Sequence, residues 1–135
     1  MEKFEIRGDE SMKELADKMS NLKTFKDKYG GCLTILTYLK FQYGGNYTFE
    51  ISNMDEKDLT EEPKNAKELY SLFPGLYLPL THFLFYLKKN DIDMYDYLKE
   101  SSKRINEEET KKQKLKFYVI IAFIFIAIVV ILNYL

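Results

Sequence analysis

One histidine and one cysteine, His82 and Cys32, are the side chains of this chain best suited to nucleophilic or near-neutral acid–base chemistry. An imidazole can activate a thiol, but the two must lie within hydrogen-bond reach and the imidazole needs an orienting partner. No carboxylate or hydroxyl can be assigned to His82 from its neighbours. It stands between Thr81 and Phe83 in an apolar run, the setting of a core or interface histidine. Cys32 follows Gly30 and Gly31 and reads as a small buried hydrophobe at the start of a strand. Asp91, Asp93 and Asp96 form an acidic cluster, but on a helix Asp91 and Asp93 point about 200° apart. Such carboxylates diverge, and they suit the positive end of a helix better than a cation. Phosphate loops, metal-ligand spacings and a Gly-x-Ser-x-Gly turn are missing. The expectation is a non-enzymatic protein with no catalytic residue, no metal site and no cofactor.

Two short motifs have bland structural readings. Asn46-Tyr47-Thr48 matches a glycosylation sequon but reads as a hairpin turn. Arg7-Gly8-Asp9 reads as the turn between a strand and a helix.

The elements that would position these residues follow from periodicity. Phe4 and Ile6 alternate with Glu5 and Arg7, a short strand signal. Ser11 with Glu14 forms a capping box, and Met12, Leu15, Ala16, Met19 and Leu22 continue at helical spacing. Gly30-Gly31 is expected to end that helix. Leu33, Ile35, Leu39, Phe41 and Tyr43 share one face of an extended run. Tyr47, Phe49 and Ile51 alternate after Gly44-Gly45, so residues 33–52 predict a β-hairpin. A helix is expected near residues 63–72 and another from about residue 80 to 89. Asn90 and Asp91 then cap a helix carrying Ile92, Tyr95 and Leu98, which leads into a polar, solvated helix over residues 101–116.

Residues 117–135 carry no charge, and as a helix they span about 28 Å, close to the ~30 Å hydrocarbon core of a bilayer. This is the pattern of a tail anchor, with Phe117, Tyr118, Ile121, Phe125, Val129 and Leu132 facing lipid. Lys111, Lys112, Lys114 and Lys116 precede it, placed to meet anionic headgroups and to keep the N-terminal side cytosolic. The segment has no glycine, and Ala122 and Ala127 are too far apart for a small-xxx-small pair. Tight dimerisation of the anchor is therefore not expected, and it has no ionisable group to line an ion path. An N-terminal signal peptide is not expected, because the first residues are charged and no apolar stretch follows.

Residues 69–87 are a second charge-free stretch, rich in aromatics. Pro74, Gly75 and Pro79 interrupt it, and it holds Ser71, Thr81 and His82. A pair of core helices is the better reading, with a membrane-embedded or interfacial segment as the alternative.

Bulk properties exclude some classes. Lys and Arg total 20 against 21 Asp and Glu, so nothing favours a nucleic-acid partner. A single cysteine allows no intrachain disulfide, which fits a reducing compartment.

The expected fold is α+β. A cytosolic domain over residues 1–100 would hold a strand, an amphipathic helix, a β-hairpin and two or three helices. A connector over residues 101–116 and one transmembrane helix over residues 117–135 would follow. The expected function is a tail-anchored, single-pass interaction or regulatory module whose partners are the lipid bilayer and an unidentified protein. Tyr70, Phe73, Tyr77, His82, Phe83 and Tyr86 are the expected partner surface. One alternative is a small membrane-active protein of toxin, holin or viroporin type with residues 69–87 also inserted. Another is a Bcl-2-type apoptosis regulator, which the chain resembles in its small size, apolar central helix and tail anchor. That resemblance implies an all-helical domain. The family's Asn-Trp-Gly-Arg motif has no counterpart here, since the chain contains no tryptophan.

Overall fold

Four of the helix starts among the described residues follow one local rule. A short polar side chain accepts a hydrogen bond from the backbone N–H three residues on, satisfying a donor the helix cannot. Ser11 Oγ accepts from Glu14 at 3.1 Å and opens α1, Met12–Ser20. Thr24 Oγ1 accepts from Asp27 at 3.0 Å and opens α2, Phe25–Tyr43. Asn46 Oδ1 accepts from Phe49 at 3.2 Å and opens α3, Tyr47–Asn53. A 3₁₀ turn, Glu56–Leu59, is followed by α4, Ala66–Leu72, and α5, Tyr77–Asn90. Asp91 Oδ1 accepts from Met94 at 3.1 Å at the start of α6, Ile92–Tyr134. The computed structural model describes residues 4–135.

The described residues are 78% helix with no strand among them, which overturns the α+β expectation. Phe4 and Ile6 belong to no sheet and instead pack, partly buried, against the helical core. The first helix ends at Ser20, and Gly30-Gly31 lies inside α2 rather than capping α1. The approach at Gly31 is close, because a Cβ would sit 3.2 Å from Leu22 Cδ1 and Met19 Cγ, which would have to give way.

The hairpin expected over residues 33–52 is two helices. Cys32, Ile35, Leu36 and Leu39 are all buried, at the i, i+3, i+4, i+7 spacing of one helical face. Phe41 is 87% exposed, although a strand would have turned it inward with Tyr43 and Leu39. Alternation every two residues and recurrence every 3.6 share several positions here, and only burial separates them. Gly44 and Gly45 break α2 from α3 at φ of 78° and 79°, a conformation open to glycine. A side chain on Gly45 would also crowd Leu76, whose Cβ and Cδ2 would lie 3.2 Å from its Cβ.

The core is centred on α5. Leu80, Phe83, Leu84 and Leu87 are buried at helical spacing, and α5 packs most extensively on α1, through Leu15, Ala16 and Met19. Burying such side chains stabilises by about 1.5–3 kcal/mol each. Pro79 is tolerated because it falls in the first turn of α5, where its missing N–H has no helical partner to lose. Glu56 ties the 3₁₀ turn to later elements, accepting from Lys88 at 2.9 Å and from the Tyr95 hydroxyl at 2.9 Å, and pairing with Lys99.

The chain divides into two units at residues 103 and 104. The first holds all the buried residues, including Ser101 and Ser102, so the solvated stretch begins later than residue 101. In the second, 104–135, no side chain is buried. α6 is the one helix, among the described residues, that is long and apolar enough to cross a membrane.

Candidate functional site

The charge-free stretch of residues 69–87 is two surfaces of opposite character. Its second half, on α5, faces inward: Phe83 is fully buried, and His82 and Tyr86 are nearly so. These three were expected on a partner surface. Phe83 is instead core, because it lies on the α5 stripe that meets α1. The first half, apart from buried Leu76, faces outward. α4 buries none of its residues, Leu72 and Phe73 are 71% and 61% exposed, and Tyr77 is 37% exposed. Leu72, the most exposed of these, was not singled out from sequence. Its signal was its position at the end of a short helix just before Phe73-Pro74-Gly75.

Tyr70 joins the halves. Its hydroxyl lies 2.5 Å from Nδ1 of His82, and its ring meets that of Tyr43 edge-on at 5.8 Å between centroids. Burial lowers the His82 imidazole below its ordinary value near 6.5, so the ring is neutral at pH 7. Burial, with Tyr43 and Tyr86 adding to it, raises the Tyr70 phenol, which keeps its proton. The Tyr70 hydroxyl donates when Nδ1 is bare and accepts when the imidazole proton sits on Nδ1. The pair borders a hollow of about 670 Å³ whose aromatic wall is Tyr38, Tyr43, Tyr70 and Tyr86. Asp9, Glu10 and Glu14 share that hollow with Lys13 and Lys67, so no single charge type converges there.

Cys32 lies on the buried face of α2 with no exposed surface. Burial pushes its thiol up to about 12, with the Asp91 carboxylate adding to the effect. A nucleophilic cysteine needs the reverse, a depressed value and access. Asp91, read from sequence as a helix cap, fills that role and also pairs with Lys28 Nζ at 3.4 Å. Asn46 caps α3 instead of turning a hairpin. Glu56, clamped by Lys99 and Lys88 and held at about 2, is the main polar anchor missed from sequence. Its three partners lie 32 to 43 residues away, and no local pattern links them.

The expected lipid-facing residues Phe117, Tyr118, Ile121, Phe125, Val129 and Leu132 are all exposed on α6, as are Lys111, Lys112, Lys114 and Lys116. None of the candidate span is buried against the fold. Among the described residues, no group of three or more His, Cys, Asp or Glu side chains converges as a metal site.

No protein-family model, no curated protein and no solved structure matches this chain.

Proposed function

We propose that this chain is a membrane-tethered helical module that acts by binding rather than by catalysis. The observation that carries the reading is the state of residues 117–135: apolar, charge-free, helical and unburied. Leaving that many Ile, Val, Phe and Leu side chains in water would cost on the order of tens of kcal/mol, so an apolar solvent is their physical home. Lys111, Lys112, Lys114 and Lys116 then favour a cytosolic position for the helical body. The inaccessible thiol of Cys32 and the engaged imidazole of His82 support binding over nucleophilic chemistry. The surface offered to a partner is Leu72, Phe73 and Tyr77, the outward part of the aromatic stretch.

Insertion of residues 69–87 as a second span would strip Leu80, Phe83, Leu84 and Leu87 from the core, which weighs against the membrane-active alternative. The Bcl-2-type reading gains the helical class of the body but still lacks the family's motif. Binding of amphipathic helical peptides to the full chain would test it, and no binding would end it.

The main test is alkaline extraction and protease protection of the full chain in membranes. The expected result is retention in the pellet, with protease removing the body and leaving a protected fragment containing residues 117–135. Release into the supernatant would sink the tether.

A further inference from the structure

We infer that the turn between α4 and α5 docks into the interfacial layer of a lipid bilayer, so that the body binds the membrane at a second place besides its span. The inference rests on the tether proposed above, and it names the partner of the exposed aromatic surface.

The turn is built outward. α4 buries no residue fully, and Leu72, Phe73 and Tyr77 keep most or much of their surface in solvent. Leu69, Phe73, Pro74, Gly75, Tyr77 and Leu78 line one shallow hollow of about 390 Å³ that is almost wholly apolar in character. Phe73, Pro74 and Gly75 form its apex, with Gly75 at a φ of 131° that a side chain would resist. The fold gains nothing from this exposure, and an isolated apolar patch in water is a liability unless something covers it.

The chemistry of the patch favours lipid over protein. Its apex presents no side-chain hydrogen-bonding group, and the nearby hydroxyls of Tyr77 and Ser71 already donate to Asp58 and to the Lys67 carbonyl. A protein partner would have little to read for register or orientation, whereas a bilayer needs none. No charge occurs from residue 69 to 87, and the exposed charges before the patch, Lys64 and Lys67 with Glu61, Glu62 and Glu68, are mixed, so the docking rests on its apolar and aromatic character rather than on charge. Aromatic rings with a proline–glycine turn suit the headgroup and upper acyl depth. The chain also supplies the surface itself, since its candidate span holds the body at a bilayer whose local concentration is then high.

The absence of tryptophan makes the test direct. Three single-tryptophan variants of the full chain, Phe73→Trp, Phe125→Trp and Phe41→Trp, are reconstituted in vesicles of mixed zwitterionic and anionic lipid. Some vesicles carry lipids brominated near the headgroup and others lipids brominated deep in the acyl chain. Circular dichroism checks that each variant keeps its helicity. Phe125→Trp reports the tether and is expected to be quenched by the deep label. Phe41→Trp replaces a side chain 87% exposed on α2 and is expected to emit as in water, unquenched. Phe73→Trp is expected to emit at shorter wavelength and to be quenched several-fold more by the shallow label than Phe41→Trp. A water-like, unquenched Phe73→Trp overturns the inference, whichever way Phe125→Trp behaves, and leaves the turn to a protein partner. Quenching at Phe125→Trp without quenching at Phe73→Trp removes the docking and keeps the tether. Loss of quenching at Phe125→Trp removes the tether itself.

Discussion

The Tyr70 hydroxyl lies 2.5 Å from Nδ1 of His82, and this bond ties the outward helix α4 to the buried face of α5. Protonating the imidazole would reverse the bond, with Nδ1–H donating to the phenol oxygen, and would place a charge where burial disfavours one.

A first prediction concerns pH. Burial lowers the His82 value below 6.5, so the unfolded chain binds a proton more readily than the folded one. The stability due to His82 is complete above pH 6.5 and is lost as pH falls below it. Thermal unfolding of the full chain followed by circular dichroism should show a Tm that drops from pH 7 to pH 5. His82→Phe should flatten that slope. Tyr70→Phe, which leaves Nδ1 without its partner, should cost about 1–2 kcal/mol at pH 7. Equal slopes for the parent and His82→Phe would rule the account out.

Glu56 gives a second prediction, with a lower pH window. Lys99 and Lys88 hold its carboxyl at about 2, against an ordinary 4.5, with burial opposing and Tyr95 assisting. Its contribution is therefore full above pH 4.5 and lost as pH falls toward 2. The side chain is half exposed, so solvent screens these pairs and Glu56→Gln should cost only about 1 kcal/mol at pH 7. The gap between parent and variant should narrow below pH 4.5. A cost that stayed constant down to pH 2 would show that charge is not its origin.

Adjacent glycines in α2 should respond in opposite directions. A Cβ on Gly30 meets nothing within 4 Å, so Gly30→Ala should stabilise by about 0.5–1 kcal/mol through helix propensity. Gly31→Val must push against Leu22 and Met19 and should lose about 1–3 kcal/mol. Denaturant titration of both variants decides the matter, and a stabilised Gly31→Val would mean that α1 and α2 do not approach as described.

The last prediction uses Cys32 as a reporter. Its buried thiol, pushed up to about 12, should react with a maleimide at pH 7 only when the body opens. Labelling should be slow in native buffer and fast in denaturant. Rapid labelling of the folded protein would contradict the packing of α2.

Several of these features were legible in the residues alone. The capping by Ser11 and Asp91, the apolar stripe of α1 and the apolar length of residues 117–135 are local signals. Each depends on residues three or four apart, or on composition, and needs no distant partner. Thr24 with Asp27 carried the same capping signal and would have placed the start of α2.

Tertiary structure alone decided the rest. Leu33, Ile35, Leu39, Phe41 and Tyr43 satisfy a period of two, while Cys32, Ile35, Leu36 and Leu39 satisfy a period of 3.6. The second set won because it is the face the fold buries, leaving Phe41 outside. Residues 69–87 likewise form one uniform apolar run in sequence. Packing on α1 takes Leu80, Phe83, Leu84 and Leu87 inward and leaves Leu72 and Phe73 in solvent. Hydrophobicity says that a side chain will leave water if it can. Which side chains find a neighbour to bury them depends on helices brought together from distant parts of the chain.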